Sequence, residues 1–166
     1  MQCENIALYA FRKFGDTALQ AAFCCLGNRA DAEDVAQEIF FALHRNPREF
    51  QDDEHLKAYI LRSVINRCKN LRGSIWHRMR VSFEEAVLPQ QAGPDESGLQ
   101  EIIRMIRALP PPYNAVLYLH DYEGYTIREI AEMLGRSENT VSTQLRRGHR
   151  KLQAELTDSG VIHELL

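Results

Sequence analysis

Residues 126–147 read TIREIAEMLGRSENTVSTQLRR, and this stretch predicts two short helices joined by a sharp turn. Thr126 and Glu129 have the spacing of a capping box, in which the two side chains satisfy backbone N–H groups at the start of a helix. Gly135 suits the turn because glycine adopts a positive φ without steric cost. Ser137 is expected to cap the second helix. The stretch therefore predicts a helix-turn-helix unit.

The spacing of small and apolar residues supports this motif. Ala131 lets the two helices approach, Gly135 follows it, and β-branched Val141 is expected to fill the core between them. The apolar positions of the second helix are Val141, Leu145, Gly148, Leu152 and Leu156. They recur every three or four residues and predict one buried face.

The opposite face of the second helix is basic and amide-rich, which is typical of a surface that enters the major groove of DNA. The candidate DNA-binding residues are Arg136, Asn139, Thr140, Thr143, Arg146, Arg147 and Arg150. The alternative is a helical hairpin that serves only for contact with another protein.

The N-terminal part of the chain predicts two further helices. Asp31 is expected to cap the first of them, whose apolar residues include Val35 and Leu43. This helix should end near Asn46, because the proline that follows disfavours helical geometry in the residue before it. After a polar loop, a second long helix is predicted from about His55 to Arg72.

The second of these helices has two contrasting faces. Leu56, Ile60, Val64, Cys68 and Leu71 cluster on one side, whereas Tyr59, Arg62, Asn66, Lys69 and Asn70 cluster on the other. An aromatic ring among cations and amides suits single-stranded nucleic acid, because bases stack on the ring and cations follow the phosphates. Alternatively, Tyr59 packs inward and the charged residues only contact solvent.

Composition and charge distribution divide the chain into two helical modules. Of the 166 residues, 45% are hydrophobic and 26% are charged, which is typical of a globular protein. Residues 81–98 hold prolines, glycines and acids and predict an acidic linker between domains 1–80 and 99–166. The fold class is therefore predicted to be all-α. The net charge of −3 hides two basic blocks, residues 55–83 and 136–151, and phosphate binding responds to such local patches.

Several function classes lack the residues that they need. No apolar run is long enough for a membrane span, and no secretory signal is visible at the start, so a cytoplasmic protein is expected. Cys3, Cys24, Cys25 and Cys68 show no metal-ligand spacing and are expected to be reduced. The six histidines are scattered without a metal-binding pattern. We therefore expect no metal, no cofactor and no enzymatic activity.

Four blocks together resemble the sigma factors of bacterial RNA polymerase, in particular the small two-domain extracytoplasmic-function type. These blocks are AEDVAQEIF at 32–40, YILRSVIN at 59–66, LPPPYNAV at 109–116 and the helix-turn-helix stretch. The resemblance implies that residues 1–80 form sigma region 2 and that residues 99–166 form sigma region 4. It also implies core RNA polymerase and promoter DNA as partners, together with an anti-sigma factor.

The resemblance further implies a role for each candidate surface. Asp34, Gln37 and Glu38 would contact the polymerase. Tyr59, Arg62, Asn66 and Lys69 would melt the minus-ten element, with the loop 48–56 helping Asn66 to capture a flipped base. The segment 136–147 would read the minus-thirty-five element as duplex, and the acidic linker would run toward the polymerase active centre.

Two other classes of function stay open at this point. The first is a free-standing helix-turn-helix regulator that binds a palindromic operator as a dimer. The second is an interaction protein that binds no DNA. The face around Tyr59 and Asn66 and the face around Asp34 and Glu38 distinguish the regulator from a sigma factor, because a duplex-reading regulator needs neither. For the interaction protein, reversing Arg146 and Arg147 to glutamate would leave partner binding unchanged.

Overall fold

The computed structural model describes residues 5–78 and 98–158, and within these ranges it contains helices and turns but no strand. The predicted all-α class is confirmed. The chain divides into two compact units, Met1–Gln91 and Ala92–Leu166. The predicted linker 81–98 lies outside the described residues, apart from its last residue, Gly98.

Among its described residues, 5–78, the first unit contains three helices: α1 (Ile6–Leu26), α2 (Arg29–Arg45) and α3 (Asp53–Arg78). Helix α1 ends at Gly27, which has a φ of 68° and whose N–H bonds to the carbonyl of Phe23. Its buried face is rich in small residues, which allow α2 and α3 to approach closely. The buried residues of α1 are Ala7, Ala10, Phe14, Ala18, Ala21, Ala22, Cys24 and Cys25.

Helix α2 begins earlier than the sequence predicts. The predicted cap, Asp31, is wrong, because the side chain of Asn28 accepts a hydrogen bond from the Asp31 N–H and caps the helix. Asparagine is as good a cap as aspartate, so Asn28 starts the helix three residues upstream. Asp31 lies in the first turn instead, where its charge suits the positive end of the helix dipole. The predicted end of this helix at Asn46 is confirmed.

Helix α3 is longer than predicted at both ends. It begins at Asp53, where the Asp52 side chain accepts a hydrogen bond from the His55 N–H at 2.8 Å. It continues past Arg72 to Arg78, because no proline interrupts it. Leu56, Ile60, Val64 and Cys68 are buried as predicted, and Leu61 and Ile65 widen the buried face.

A polar cluster joins α1 to the start of α3. The Tyr9 hydroxyl donates to Asp53 Oδ1 at 2.8 Å, and Lys13 Nζ forms an ion pair with Asp53 Oδ2. The hydrogen bonds from Lys13 and then Tyr9 lower the pKa of Asp53. The bonds to Asp53 and Tyr9 raise the pKa of Lys13.

In the second unit, the described residues 98–158 form α4 (Gly98–Ala108), α5 (Tyr113–Leu117), a π-helical turn (Tyr118–Tyr122), α6 (Ile127–Leu134) and α7 (Glu138–Asp158). Its core contains Ile106, Val116, Leu117, Tyr118, Leu119, Ile130 and Val141, each at most 1% exposed. Helices α5 and α6 both pack against α7. The core therefore fixes α7 from one side and leaves its other side in solvent.

The predicted local signals of the helix-turn-helix are confirmed. Thr126 Oγ1 accepts from the Glu129 N–H at 3.2 Å, and Glu129 Oε2 accepts from the Thr126 N–H at 2.8 Å. Gly135 has a φ of 62° between α6 and α7. The Ser137 hydroxyl accepts from the Thr140 N–H at 3.1 Å at the start of α7.

Two further observations concern the cysteines and the length of the apolar helices. Cys24, Cys25 and Cys68 are buried and take part in no disulfide within the described residues, and Cys3 lies outside those residues. Within residues 5–78 and 98–158, none of the helices combines the length and the apolar content that crossing a bilayer requires.

Candidate nucleic-acid interface

Helix α7 presents the predicted DNA-binding residues on its solvent side. Asn139, Thr140, Arg146, Arg147 and Arg150 are exposed, and Thr143 is half-buried. The opposite side of the helix, which carries Val141, Leu145, Gly148 and Leu152, is buried in the core. The structure therefore brings six of the seven predicted residues to the free surface of one helix.

The seventh residue, Arg136, is held differently. Its guanidinium is half-buried and donates from Nη1 to Gln144 Oε1 at 3.0 Å, and burial lowers its pKa. Its backbone N–H bonds to the carbonyl of Ala131. Arg136 is therefore oriented by the protein before any DNA arrives, since one of its five N–H donors is committed to Gln144. Gln144, which lies eight positions further along the chain in α7, was not predicted from the sequence.

The charges on α7 are available for phosphate. Within the described residues, Arg146, Arg147 and Arg150 form no ion pair, whereas Arg128 on α6 lies 3.6 Å from Glu132. Unpaired guanidiniums on one exposed face attract the DNA backbone at long range and contact it through several N–H groups. The outer face of α7 is thus suited to duplex DNA.

In the first unit, α3 carries a second polar strip. Arg62, Asn66 and Lys69 are exposed at steps of four and three residues, so they follow one side of the helix. Tyr59 begins this strip but is half-buried. The strip has the cations and the amide that a nucleic-acid strand needs, and its aromatic residue is only partly accessible.

Tyr59 packs against the loop that precedes α3. Its ring centroid lies 5.2 Å from that of Phe50, and the guanidinium carbon of Arg48 lies 5.2 Å from the Tyr59 ring. The His55 ring lies 5.3 Å from Phe50. Phe50 was not predicted to take part in this surface, although a single aromatic residue in an otherwise polar loop could have indicated such a role. We refer to Arg48, Phe50, His55 and Tyr59 as the loop aromatic cluster.

The three predicted polymerase-contact residues lie together on α2. Asp34, Gln37 and Glu38 are exposed and line an open depression of about 340 Å³, together with Phe41 and Arg45. The side chain of Phe41 is 64% exposed and was missed, because its neighbour Phe40 is the one that packs inward. Glu38 Oε2 accepts from Arg67 Nε of α3 at 2.8 Å. The depression therefore combines acidic groups with an exposed aromatic ring.

The structure also brings together a group that the sequence spacing did not indicate. His120, Asp121 and His149 can each offer one metal-ligating atom, and these atoms lie within 4.8 Å of one another. His149 is 28 positions from Asp121, so no local motif relates them. This group could hold a metal ion, and it lies in the second unit beside α7.

Comparison with known protein families gives two matches. Residues 10–77 match the family Sigma-70 region 2, and residues 99–152 match the family Sigma-70, region 4. The first range covers α3 almost to its end, and the second covers most of α7. The three predicted binding surfaces, on α2, α3 and α7, therefore lie within matched residues.

Individual relatives match along most of the chain. The ECF RNA polymerase sigma factor SigE of Mycolicibacterium smegmatis is 28% identical over 152 residues, covering 86% of this chain. The chain spans only 58% of the length of that relative. The ECF RNA polymerase sigma factor SigW of Bacillus subtilis is 26% identical over 160 residues, covering 87% of this chain and 86% of SigW.

Two solved structures share the fold. The sigma factor RpoE from Bartonella quintana, in complex with the anti-sigma factor NepR, superimposes with a TM-score of 0.69 at 16% identity. That match covers 89% of this chain and 94% of RpoE. CnrH, in complex with the cytosolic domain of CnrY, gives a TM-score of 0.62 at 21% identity and covers 92% of this chain and 88% of CnrH.

Proposed function

The chain belongs to the sigma-70 family of RNA polymerase sigma factors, in its ECF type, and we propose from this premise that it directs core RNA polymerase to promoters. One observation carries the proposal. Residues 10–77 match Sigma-70 region 2 and residues 99–152 match Sigma-70 region 4, and each range contains a surface of exposed polar residues. The protein would act in the cytoplasm as a dissociable subunit, without catalysis of its own.

Region 4 would bind the minus-thirty-five element as duplex DNA. Asn139 and Thr140 lie at the start of α7, where a recognition helix reaches base edges, and asparagine pairs well with adenine. Arg146, Arg147 and Arg150 would contact phosphates and fix the register of the helix on the duplex. Arg136, held by Gln144, would present its remaining N–H donors at the groove edge.

Region 2 would hold the separated strand of the minus-ten element. Arg62 and Lys69 would follow its phosphates, and Asn66 would hydrogen-bond to an exposed base edge. A flipped base would enter near the loop aromatic cluster, where Arg48 now covers the Tyr59 ring. Since extruding a base costs a few kcal/mol, the ring and the cation beside it would both contribute to holding it.

The α2 surface would bind the polymerase. Asp34 and Glu38 suit a basic partner surface, and charge complementarity mainly gives orientation and a fast encounter. The exposed Phe41 would supply the apolar contact that charged pairs alone do not give. An anti-sigma factor that covers such surfaces would keep the protein inactive, as RpoE is found in complex with NepR.

The alternative function, a free-standing operator-binding regulator, explains less of the molecule. It accounts for α7 but leaves the α3 strip and the α2 depression without a role. It also requires a homodimer with two recognition helices one DNA turn apart. Initiation that depends on core polymerase distinguishes the two functions.

Transcription in vitro tests the proposal. Core polymerase with the wild-type chain is expected to initiate from a subset of a promoter library, and core polymerase alone is not. The double variant Arg146→Glu, Arg147→Glu should reduce initiation more than tenfold, because two phosphate contacts become repulsions.

The matched control is Arg128→Glu, which reverses an exposed charge on α6 in the same unit and should leave initiation within about twofold of wild type. Equal initiation with and without the wild-type chain would contradict the proposal. Equal loss in the control would instead contradict the assignment of DNA contact to α7.

A further inference from the structure

Three side chains with metal-ligating atoms lie close together, two from the π-helical turn and one from α7. His120 Nδ1 lies 2.6 Å from Asp121 Oδ1, and His149 Nε2 lies 2.7 Å from Asp121 Oδ2. The two imidazole rings lie 6.3 Å apart between centroids. Both oxygens of one carboxylate therefore face an imidazole nitrogen.

Backbone packing sets this arrangement. His120 and Asp121 lie in the π-helical turn, a rare element that occurs frequently at functional sites. His149 follows Gly148, where α7 and α5 approach so closely that a Cβ would lie 2.3 Å from Leu117 Cδ1. Because the π-helical turn follows α5 directly, the packing of α5 on α7 brings His120 and Asp121 close to His149.

The charge of the group favours a cation. Within the described residues, Asp121 bonds to the two imidazoles and to no lysine or arginine. With both imidazoles neutral, the group carries a charge of −1. All three side chains are partly exposed, so an ion and its water ligands can reach them.

From this geometry we propose that His120, Asp121 and His149 form a binding site for a divalent transition metal ion such as Zn²⁺. Two imidazoles and a carboxylate are ligands that zinc prefers, and water would complete a four-coordinate site. Each imidazole now directs an N–H at the carboxylate. Coordination would use an unprotonated nitrogen, so the proton moves through solvent to the other ring nitrogen and metal bonds replace two hydrogen bonds.

The ion would fasten the π-helical turn to α7. Because the ligands come from two elements that meet only in the folded unit, the ion binds the folded state and stabilises it. The site lies on the flank of α7, one residue from Arg150 and three from Arg146. A bound metal would thus hold the helix that carries the proposed DNA contacts. The proposal departs from the expectation, drawn from the sequence, that the chain binds no metal.

Zinc titration of the full chain tests this proposal. The chain is used reduced and without an affinity tag, and binding is followed by the ¹⁵N signals of the imidazoles and by competition with a chromogenic chelator. We expect one Zn²⁺ per chain and shifts in the His120 and His149 signals. Mg²⁺ should cause no such shifts, because it prefers oxygen ligands.

Variants at the site give the second measurement. His120→Gln, His149→Gln and Asp121→Asn should each weaken zinc binding at least tenfold. The matched control His44→Gln removes an exposed histidine of the first unit and should leave the affinity unchanged.

Equal affinity in the site variants and the control, or zinc-induced shifts confined to other residues, would overturn the proposal. In that case the carboxylate serves only as a hydrogen-bond bridge between the two imidazoles. If a variant fails to fold, the zinc titration of the wild-type chain tests the proposal alone: shifts of the His120 and His149 signals support it, and their absence contradicts it.

Discussion

Gly148 is the residue whose lack of a side chain matters most for the position of α7. Its backbone is helical and does not have a positive φ, so close packing is the reason that this position suits glycine. The absent Cβ leaves room for Leu117, which is fully buried. This contact keeps α7 close to α5 and thereby sets where its outer face lies.

Gly148→Val is therefore expected to destabilise the second unit by about 2 kcal/mol, because the added methyl groups overpack a core that cannot easily move. The measurement is urea unfolding of the full chain, followed by NMR signals of α5 and α7. The control is Ala154→Val on an exposed position of α7, which should cost only the small helix-propensity difference of about 0.5 kcal/mol. Equal unfolding midpoints for the two variants would show that the close approach is not needed.

Arg136 illustrates how burial changes the interpretation of a single residue. The sequence pattern placed Arg136 among the predicted DNA-binding residues of the second helix of the motif. The structure holds it half-buried against Gln144, so it is more constrained than the exposed arginines. A constrained guanidinium loses less side-chain entropy when it binds, which favours a specific contact over a general phosphate contact.

Among the helices, the junction of α1 with α3 depends on one charged cluster. Asp53 lies in the first turn of α3 and bonds to Lys13 and Tyr9 of α1. Its lowered pKa means that its contribution to stability is present above the ordinary carboxyl pKa and is lost as the pH falls through the folded-state value. The raised pKa of Lys13 means that the contribution of the lysine is present below its ordinary pKa and is lost only as the pH rises through the higher, folded-state value.

Lys13→Met is expected to raise the pKa of Asp53 toward 3.8, because the largest cause of its lowering is removed. The measurement is an NMR pH titration of the Asp53 carboxyl carbon. Arg12→Met serves as the control, since it removes a positive charge from the neighbouring exposed position and should leave the Asp53 pKa near its wild-type value. Similar pKa shifts in both variants would indicate a general charge effect instead of the direct bond.

For the whole molecule, the two units carry separate surfaces for separate tasks. The second unit presents a basic helix face, and the first presents the α3 strip and the acidic α2 depression. The net charge of −3 conceals this division, because the opposite charges lie in different places. In the proposed function, a large partner would hold the first unit while DNA would contact both units.

Glu38→Arg is expected to weaken binding of the chain to core polymerase at least tenfold, because it reverses a charge in the depression and removes the bond to Arg67. Co-purification and a binding titration with core polymerase measure this. Glu33→Arg is the matched control, because it reverses an exposed charge on α2 that does not line the depression, and it should leave binding unchanged. Wild-type affinity of a folded Glu38→Arg variant would exclude the depression as the docking surface.

Local signals predicted much of the fold. The capping box at Thr126, the positive φ of Gly135 and the cap at Ser137 depend on residues a few positions apart, so the sequence shows them directly. The start of α2 was mispredicted because Asn28 and Asp31 are both good caps, and only the observed bond decides between them. The exposed side of α7 followed from periodicity, since its buried side was clearly apolar.

The sequence by itself determined the all-α class, the helices α2, α3, α6 and α7 with their buried faces, and the family, because caps, periodic apolar residues and short motifs act over a few residues. Only the tertiary structure decided which distant side chains meet. Phe50 and Arg48 at Tyr59, Arg67 at Glu38, and His149 at Asp121 are such pairs. The physical reason is that these contacts depend on how helices pack and where loops fold back, which no local spacing records.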